Sequence, residues 1–183
     1  MKTTIVLSSV RETRIAGKIL DKVLELLGTS DEITIVDPVD YPLPLLNNRY
    51  FEMKEPSELF QKLHKIFEES DGIIFITAEY NHSIPPALSN MLDHFGSEFL
   101  YKPAGIVSYS DGPIAGARAG EQLKLLVSTL GMLPIPISPA WGLAHKAGTP
   151  EGKSFEDNFV KNFNRFLVQY RWVGEAVRKQ LAN

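Results

Sequence analysis

Short apolar runs alternate along the chain with longer segments in which apolar residues recur every three or four positions. The runs 3–8 (TTIVLS), 32–36 (EITIV), 72–77 (GIIFIT) and 103–108 (PAGIVS) read as strands. The third is nearly unbroken in its apolarity, as a strand covered on both faces should be. The intervening stripes predict helices. They are Ile15, Ile19, Val23 and Leu26 in 15–27; Leu59, Leu63, Ile66 and Phe67 in 57–69; Leu88, Met91, Leu92 and Phe95 in 86–95; and Leu123, Leu126, Val127 and Leu130 in 116–130. A last stripe, Phe159, Phe163, Phe166, Tyr170, Val173 and Val177, predicts a long helix over 155–181. It packs on the sheet or lends part of its face to a subunit contact.

The alternation predicts an α/β fold with a parallel sheet, right-handed crossovers and helices on both faces. A fifth strand candidate, Leu133-Pro134-Ile135-Pro136-Ile137, carries two prolines, which remove ladder donors and confine it to a sheet edge. A flavodoxin-like, doubly wound, five-stranded sheet of order 2-1-3-4-5 puts strand five at an edge. The whole chain, 1–183, reads as one such domain. Two long loops, near 37–55 and 138–154, fall in the range that is often functional.

Composition narrows the chemistry. The chain has 183 residues, a formal net charge of −3 and no cysteine. The charge offers no general basic field for nucleic acid. Without cysteine there is no disulfide, thiolate nucleophile, Cys-ligated zinc or iron–sulfur cluster, so any redox chemistry needs an organic cofactor. His64, His82, His94 and His145 show no metal-ligand spacing, and no metal site is expected. No apolar stretch approaches the ~20 residues of a spanning helix. A soluble, cytoplasmic protein is the expectation.

In an open parallel sheet of this order, ligands bind beyond the carboxyl ends of the strands, beside strands one, three and four. After strand one comes Ser8-Ser9-Val10-Arg11-Glu12-Thr13-Arg14 and then a helix start, whose free amides and dipole suit an anion. Arg11 and Arg14 add fork-shaped donors for phosphate; a capped helix start with two solvated arginines fits the same residues. The loop has no glycine, so it is neither a G-x-G-x-x-G turn nor a P-loop, and a mononucleotide is the better match. After strand three, Glu79-Tyr80-Asn81-His82 offers an aromatic face and exposed amides, with Asn81 equally suited to a simple turn. After strand four, Ser108, Ser110, Gly112 and Gly116 allow close backbone approach to a flat ring, or serve only turn and packing needs.

Together these loops resemble the NAD(P)H-dependent FMN reductases and their quinone, azo and chromate reductase relatives. Ser8-Ser9-Val10-Arg11 stands for the family's G-S-x-R. Residues 78–93, AEYNHSIPPALSNMLD, stand for its P-E-Y-N segment and following helix. Gly116-Ala117-Arg118-Ala119 stands for G-x-R-A, and Leu43-Pro44-Leu45 looks like its loop after strand two. The likeness covers roughly residues 3–135. Three positions depart from it: Ser8 for glycine, Ala78 for proline, and Ala115 where glycine is frequent.

The resemblance implies bound FMN, with Ser9, Arg11 and Arg14 on the phosphate. Glu79, Tyr80 and Asn81 would line the ring mainly through backbone, with Ser108, Ser110 and Gly112 at its other edge. It implies NADPH or NADH as hydride donor and a small acceptor such as a quinone, azo compound, metal ion or flavin. No side-chain nucleophile is expected, and His82 is the one candidate proton donor. It also implies a homodimer or homotetramer, with Asp93 and His94 as candidate contacts. Two other classes fit: a flavodoxin-type electron carrier, and a flavin-responsive regulatory protein using the last helix and the loop that holds Trp141.

Overall fold

Each apolar run becomes a strand of one parallel sheet. In the computed structural model, which describes residues 1–181, the strands are β1 (Lys2–Leu7), β2 (Glu32–Val36), β3 (Gly72–Ala78), β4 (Pro103–Tyr109) and β5 (Leu133–Pro134). Their order is β2-β1-β3-β4-β5, as expected, and the pairings are parallel. The helices are α1 (Ala16–Leu27), α2 (Glu58–Glu69), α3 (Pro86–Asp93), α4 (Ala117–Thr129) and α5 (Lys153–Leu181).

Strand residues alternate between two cores, because successive side chains point to opposite faces. Ile5, Leu7, Ile74, Ile76 and Val107 pack with α1 and α5, whereas Val6, Ile73, Phe75 and Ile106 pack with α2, α3 and α4. The aromatic stripe of α5 lies on the sheet: Phe159, Phe163, Phe166 and Tyr170 are fully buried. Two glycines allow that approach. A Cβ on Gly105 would lie 2.5 Å from the Phe166 ring, and one on Gly72 would lie 2.6 Å from the Tyr170 hydroxyl.

The proline-bearing fifth strand is shorter than its apolar run. Leu133 and Ile135 donate to the carbonyls of Lys102 and Ala104, and then Pro136 has no amide to continue. The chain leaves the edge and returns as a short sixth strand, β6 (Ala140–Trp141), paired with Ser108 and Tyr109 of β4. This strand, which the sequence pattern does not announce, lies inside the 138–154 segment. It buries Trp141 against Phe159, ring centroids 4.7 Å apart. Trp141 is therefore core, and it is not available to the interaction surface that the regulatory alternative would have used. His94 is also buried, its Nδ1 2.7 Å from the Asn90 carbonyl, so it is no surface contact. Among the described residues no helix is long and apolar enough to cross a membrane.

Candidate functional site

The carboxyl ends of β1, β3 and β4 open onto a cleft of about 480 Å3, within the range of small-molecule sites. All three loops singled out from the sequence contribute to it. Arg11, Arg14, Glu79, Tyr80, Ser110 and Gly112 line it, and His82 stands among them. Thr13, Tyr109, Asp111, Pro113, Ile114 and Arg118 line it as well, although the sequence reading did not select them.

The β1 loop is built around Ser9. Its hydroxyl is buried and shares a short hydrogen bond with the Tyr80 hydroxyl, so it fastens the first loop to the second instead of facing the cleft. Arg11 is exposed, and its guanidinium sits 5.7 Å from the centre of the Tyr80 ring. Arg14 is differently placed. Its Nη1 donates to the Ser9 carbonyl and to Asp37 Oδ1, and its Nη2 to Asp37 Oδ2, all at 2.6 Å. That pairing raises the Arg14 pKa further above its ordinary value. The helix that follows begins with Ile15 at its N-cap, which makes no side-chain capping bond, and its first turn holds no acid. Its leading amides are therefore left without the side-chain partner that Ser, Thr, Asp or Asn supplies at most helix starts.

The β3 loop is a tight hairpin. Tyr80 and Ser83 exchange both backbone hydrogen bonds at 2.9 Å, and the central residues Asn81 and His82 have φ of 49° and 64°. Positive φ at both central positions is the mark of a type I′ turn, which asparagine tolerates well. Asn81 thus serves as a turn residue; it is exposed and does not line the cleft. The hairpin is tied to α4. Glu79 Oε2 accepts from the amides of Arg118 (3.1 Å) and Ala119 (3.3 Å), capping that helix from another loop. Arg118 Nη1 lies 3.5 Å from Glu79 Oε1, and Gln122 bonds the His82 carbonyl and the Ser83 hydroxyl.

The β4 loop is held from both sides. Ser108 is buried, and its hydroxyl donates to the Ala115 carbonyl, so it shapes the loop from beneath and does not line the cleft. The Ser110 amide donates to the Trp141 carbonyl, and the Gly112 carbonyl accepts from the Leu143 amide. Ala115 (φ 62°) and Gly116 (φ 72°) turn the chain into α4. At Gly116 a Cβ would lie 2.7 Å from the Tyr109 carbonyl, so only glycine fits. Tyr109 closes the cleft floor: it is 4% exposed and its hydroxyl has no partner among the described residues. Burial raises its pKa above the ordinary phenol value.

The charges sort themselves. Of the three cleft arginines, Arg14 is matched by Asp37 and Arg118 by Glu79, while Arg11 has no carboxylate partner among the described residues. The described residues contain no group of His, Asp and Glu able to hold a metal.

The segment that forms this cleft is similar in sequence to known proteins. Residues 1–146 match the family described as NADPH-dependent FMN reductase. A quinone reductase of Pseudomonas putida is 30% identical over 133 residues, covering 70% of each chain. An NAD(P)H-dependent FMN reductase of Schizosaccharomyces pombe is 31% identical over 145 residues, covering 76% of this chain and 72% of its own. Among solved structures, FerB, a flavoenzyme NAD(P)H:(acceptor) oxidoreductase from Paracoccus denitrificans, superposes with a TM-score of 0.75 at 21% identity, covering 93% of this chain and 98% of its own. A mutant flavodoxin from Pseudomonas aeruginosa superposes at 0.53 and 18% identity, over 91% of this chain and 99% of its own, which shows a shared fold. With the matched segment spanning all three cleft loops, the chain belongs to the NADPH-dependent FMN reductase family.

Proposed function

We propose that this protein is an FMN-dependent oxidoreductase that takes hydride from NADPH or NADH and delivers it to a small acceptor, a quinone first among them. The observation that carries the reading is Arg11: a guanidinium with no carboxylate partner among the described residues, beside an uncapped helix start, at the mouth of a cleft walled by three loops. That donor set fits a phosphate monoester, because fixed amides and a free guanidinium meet a dianion with charge-assisted bonds. The rest of the cleft fits a flat ring with a polar edge: Ala78, Gly112, Pro113 and Ile114 supply backbone and apolar surface, and Tyr80 an aromatic rim. Relatives named quinone reductase and NAD(P)H-dependent FMN reductase support the donor and acceptor classes.

The bound flavin supplies the two-electron chemistry, which cysteine-free protein groups cannot. Arg11 and the first amides of α1 hold the phosphate. The Tyr80–Ser83 hairpin, pinned to α4 through Glu79 and Gln122, keeps one wall rigid. The β4 loop, zipped to β6, keeps the other. Ser9 and Ser108 act from beneath by fixing these loops, and Ser110 and Gly112 present backbone at the ring edge. His82 would be the side chain that gives a proton to an acceptor, a reading supported by its exposure and its place in the cleft lining. The protein works in the cytoplasm as a homodimer or homotetramer; the exposed Leu45 and Phe51 in the 37–55 loop support the oligomeric part of that reading.

The test is direct. The purified protein should be yellow and should oxidise NAD(P)H faster when a quinone is added. Arg11→Ala should weaken FMN binding by about 10–100-fold, the value of one charge-assisted contact. Equal FMN binding by Arg11→Ala and wild type would remove the phosphate assignment. Bound flavin that NAD(P)H does not reduce would favour an electron carrier.

A further inference from the structure

The loop after β1 holds two arginines three residues apart, and the structure gives them different surroundings. Arg11 reaches solvent at the cleft. Arg14 turns back, makes a two-pronged bond to Asp37 just beyond β2, and spans to the Ser9 carbonyl with the same Nη1. Its side chain is 22% exposed and that of Asp37 14%. Asp37 is placed by its own turn: its Oδ1 accepts from the Val39 amide at 3.0 Å, and its carbonyl accepts from the amides of Asp40 and Tyr41. The carboxylate is thus a fixed post to which Arg14 ties the Ser9 end of the loop.

We infer that Arg14 is a positioning residue: it braces the β1–α1 loop against Asp37 so that Arg11 and the α1 amides are presented to a phosphate, and it does not itself supply the charge that binds it. Two physical points support this. The Asp37 carboxylate matches the charge of Arg14, so the pair brings no net attraction to a dianion. Planar fork-to-carboxylate pairing also fixes direction as well as distance, which suits a brace.

The two roles predict opposite signs for one substitution, and the inference rests on the proposed flavin site. If Arg14 held the phosphate, Asp37→Asn would free its guanidinium and remove a repelling carboxylate, and FMN would bind more tightly. As a brace, Asp37→Asn loosens the loop. FMN affinity should then fall by about 10-fold, the scale of one charged hydrogen bond lost. Arg14→Lys, which keeps the charge but cannot fork, should fall by a similar factor. The double variant should fall little further, because the two changes break the same link.

Riboflavin, which lacks the phosphate, is the control. Its affinity should be unchanged in all three variants, whereas general damage to the fold would weaken both ligands together. Thermal melts of the ligand-free proteins confirm that each variant is folded. Tighter or unchanged FMN binding in Asp37→Asn would overturn the inference, as would equal losses for FMN and riboflavin. A wild-type protein that does not prefer FMN to riboflavin would instead overturn the phosphate site on which it rests.

Discussion

Two of the positions where this chain departs from its family's motifs are bonded to each other. The family pattern has glycine at the position of Ser8 and proline at that of Ala78. Proline has no amide hydrogen, so a buried site there asks for no acceptor. Alanine restores that hydrogen inside the sheet, where Ala78 is 5% exposed and Ser8 fully buried. The Ser8 hydroxyl accepts it at 2.9 Å. Each departure supplies what the other needs. Ser8→Gly should leave the Ala78 amide unsatisfied at a cost of about 1–3 kcal/mol. For a protein of this size that lowers the melting temperature by roughly 2–12 °C. Ala78→Pro should orphan the Ser8 hydroxyl at a comparable cost. The double variant should be less destabilised than the sum of the two, by about 1–2 kcal/mol, within the usual range of coupling for bonded neighbours. Urea denaturation of the four ligand-free proteins measures this. Strict additivity would refute the compensation.

Three further outcomes follow from the geometry. Tyr109→Phe removes a buried hydroxyl that has no partner among the described residues, so the ligand-free variant should be more stable by about 1–2 kcal/mol at pH 7; loss of stability in urea melts would show that the hydroxyl is bonded. Burial raises the Tyr109 pKa, so above about pH 10 the unfolded chain releases its proton first and wild-type stability falls; the advantage of the variant should therefore widen with pH. Ala115→Gly relieves an L-residue at φ 62° and should gain about 0.5–1 kcal/mol in urea melts, the strain of about 1–2 kcal/mol less the entropy that glycine adds to the unfolded chain. Gly105→Ala pushes a methyl against Phe166 and should cost about 1–3 kcal/mol by the same measurement, with little change in FMN affinity because the clash lies far down the sheet.

The fold was legible because its signals are local and repeated. Apolar runs flanked by helical stripes specify the sheet, and two prolines specify which strand is at the edge. Pro136 has a second effect that pattern alone does not carry: it ends β5 early and leaves room on β4 for β6. Ala140 and Trp141 are too short a segment to register as a strand, and their pairing with Ser108 and Tyr109 depends on the chain returning to the same edge. The burial of Trp141 and His94 was hidden for the same reason, since an aromatic or histidine beside a loop looks alike whether it faces core or solvent.

At the cleft, the sequence located the loops better than it assigned the side chains within them. Ser9, Ser108 and Glu79 are small or polar residues in ligand-facing loops; Ser9 spends its side chain on the next loop, Glu79 on the start of α4, and Ser108 on the carbonyl of Ala115 in its own loop. Their partners lie 71, 7 and up to 40 residues away in sequence. The two arginines make the point most sharply. Arg11 and Arg14 are chemically identical, and either could take a phosphate when judged by residue type and spacing. What separates them is a carboxylate 23 residues beyond Arg14, brought beside it only because β2 lies next to β1 in the sheet. A binding role for an arginine depends on whether its charge is already answered, and here the answer comes from strand order.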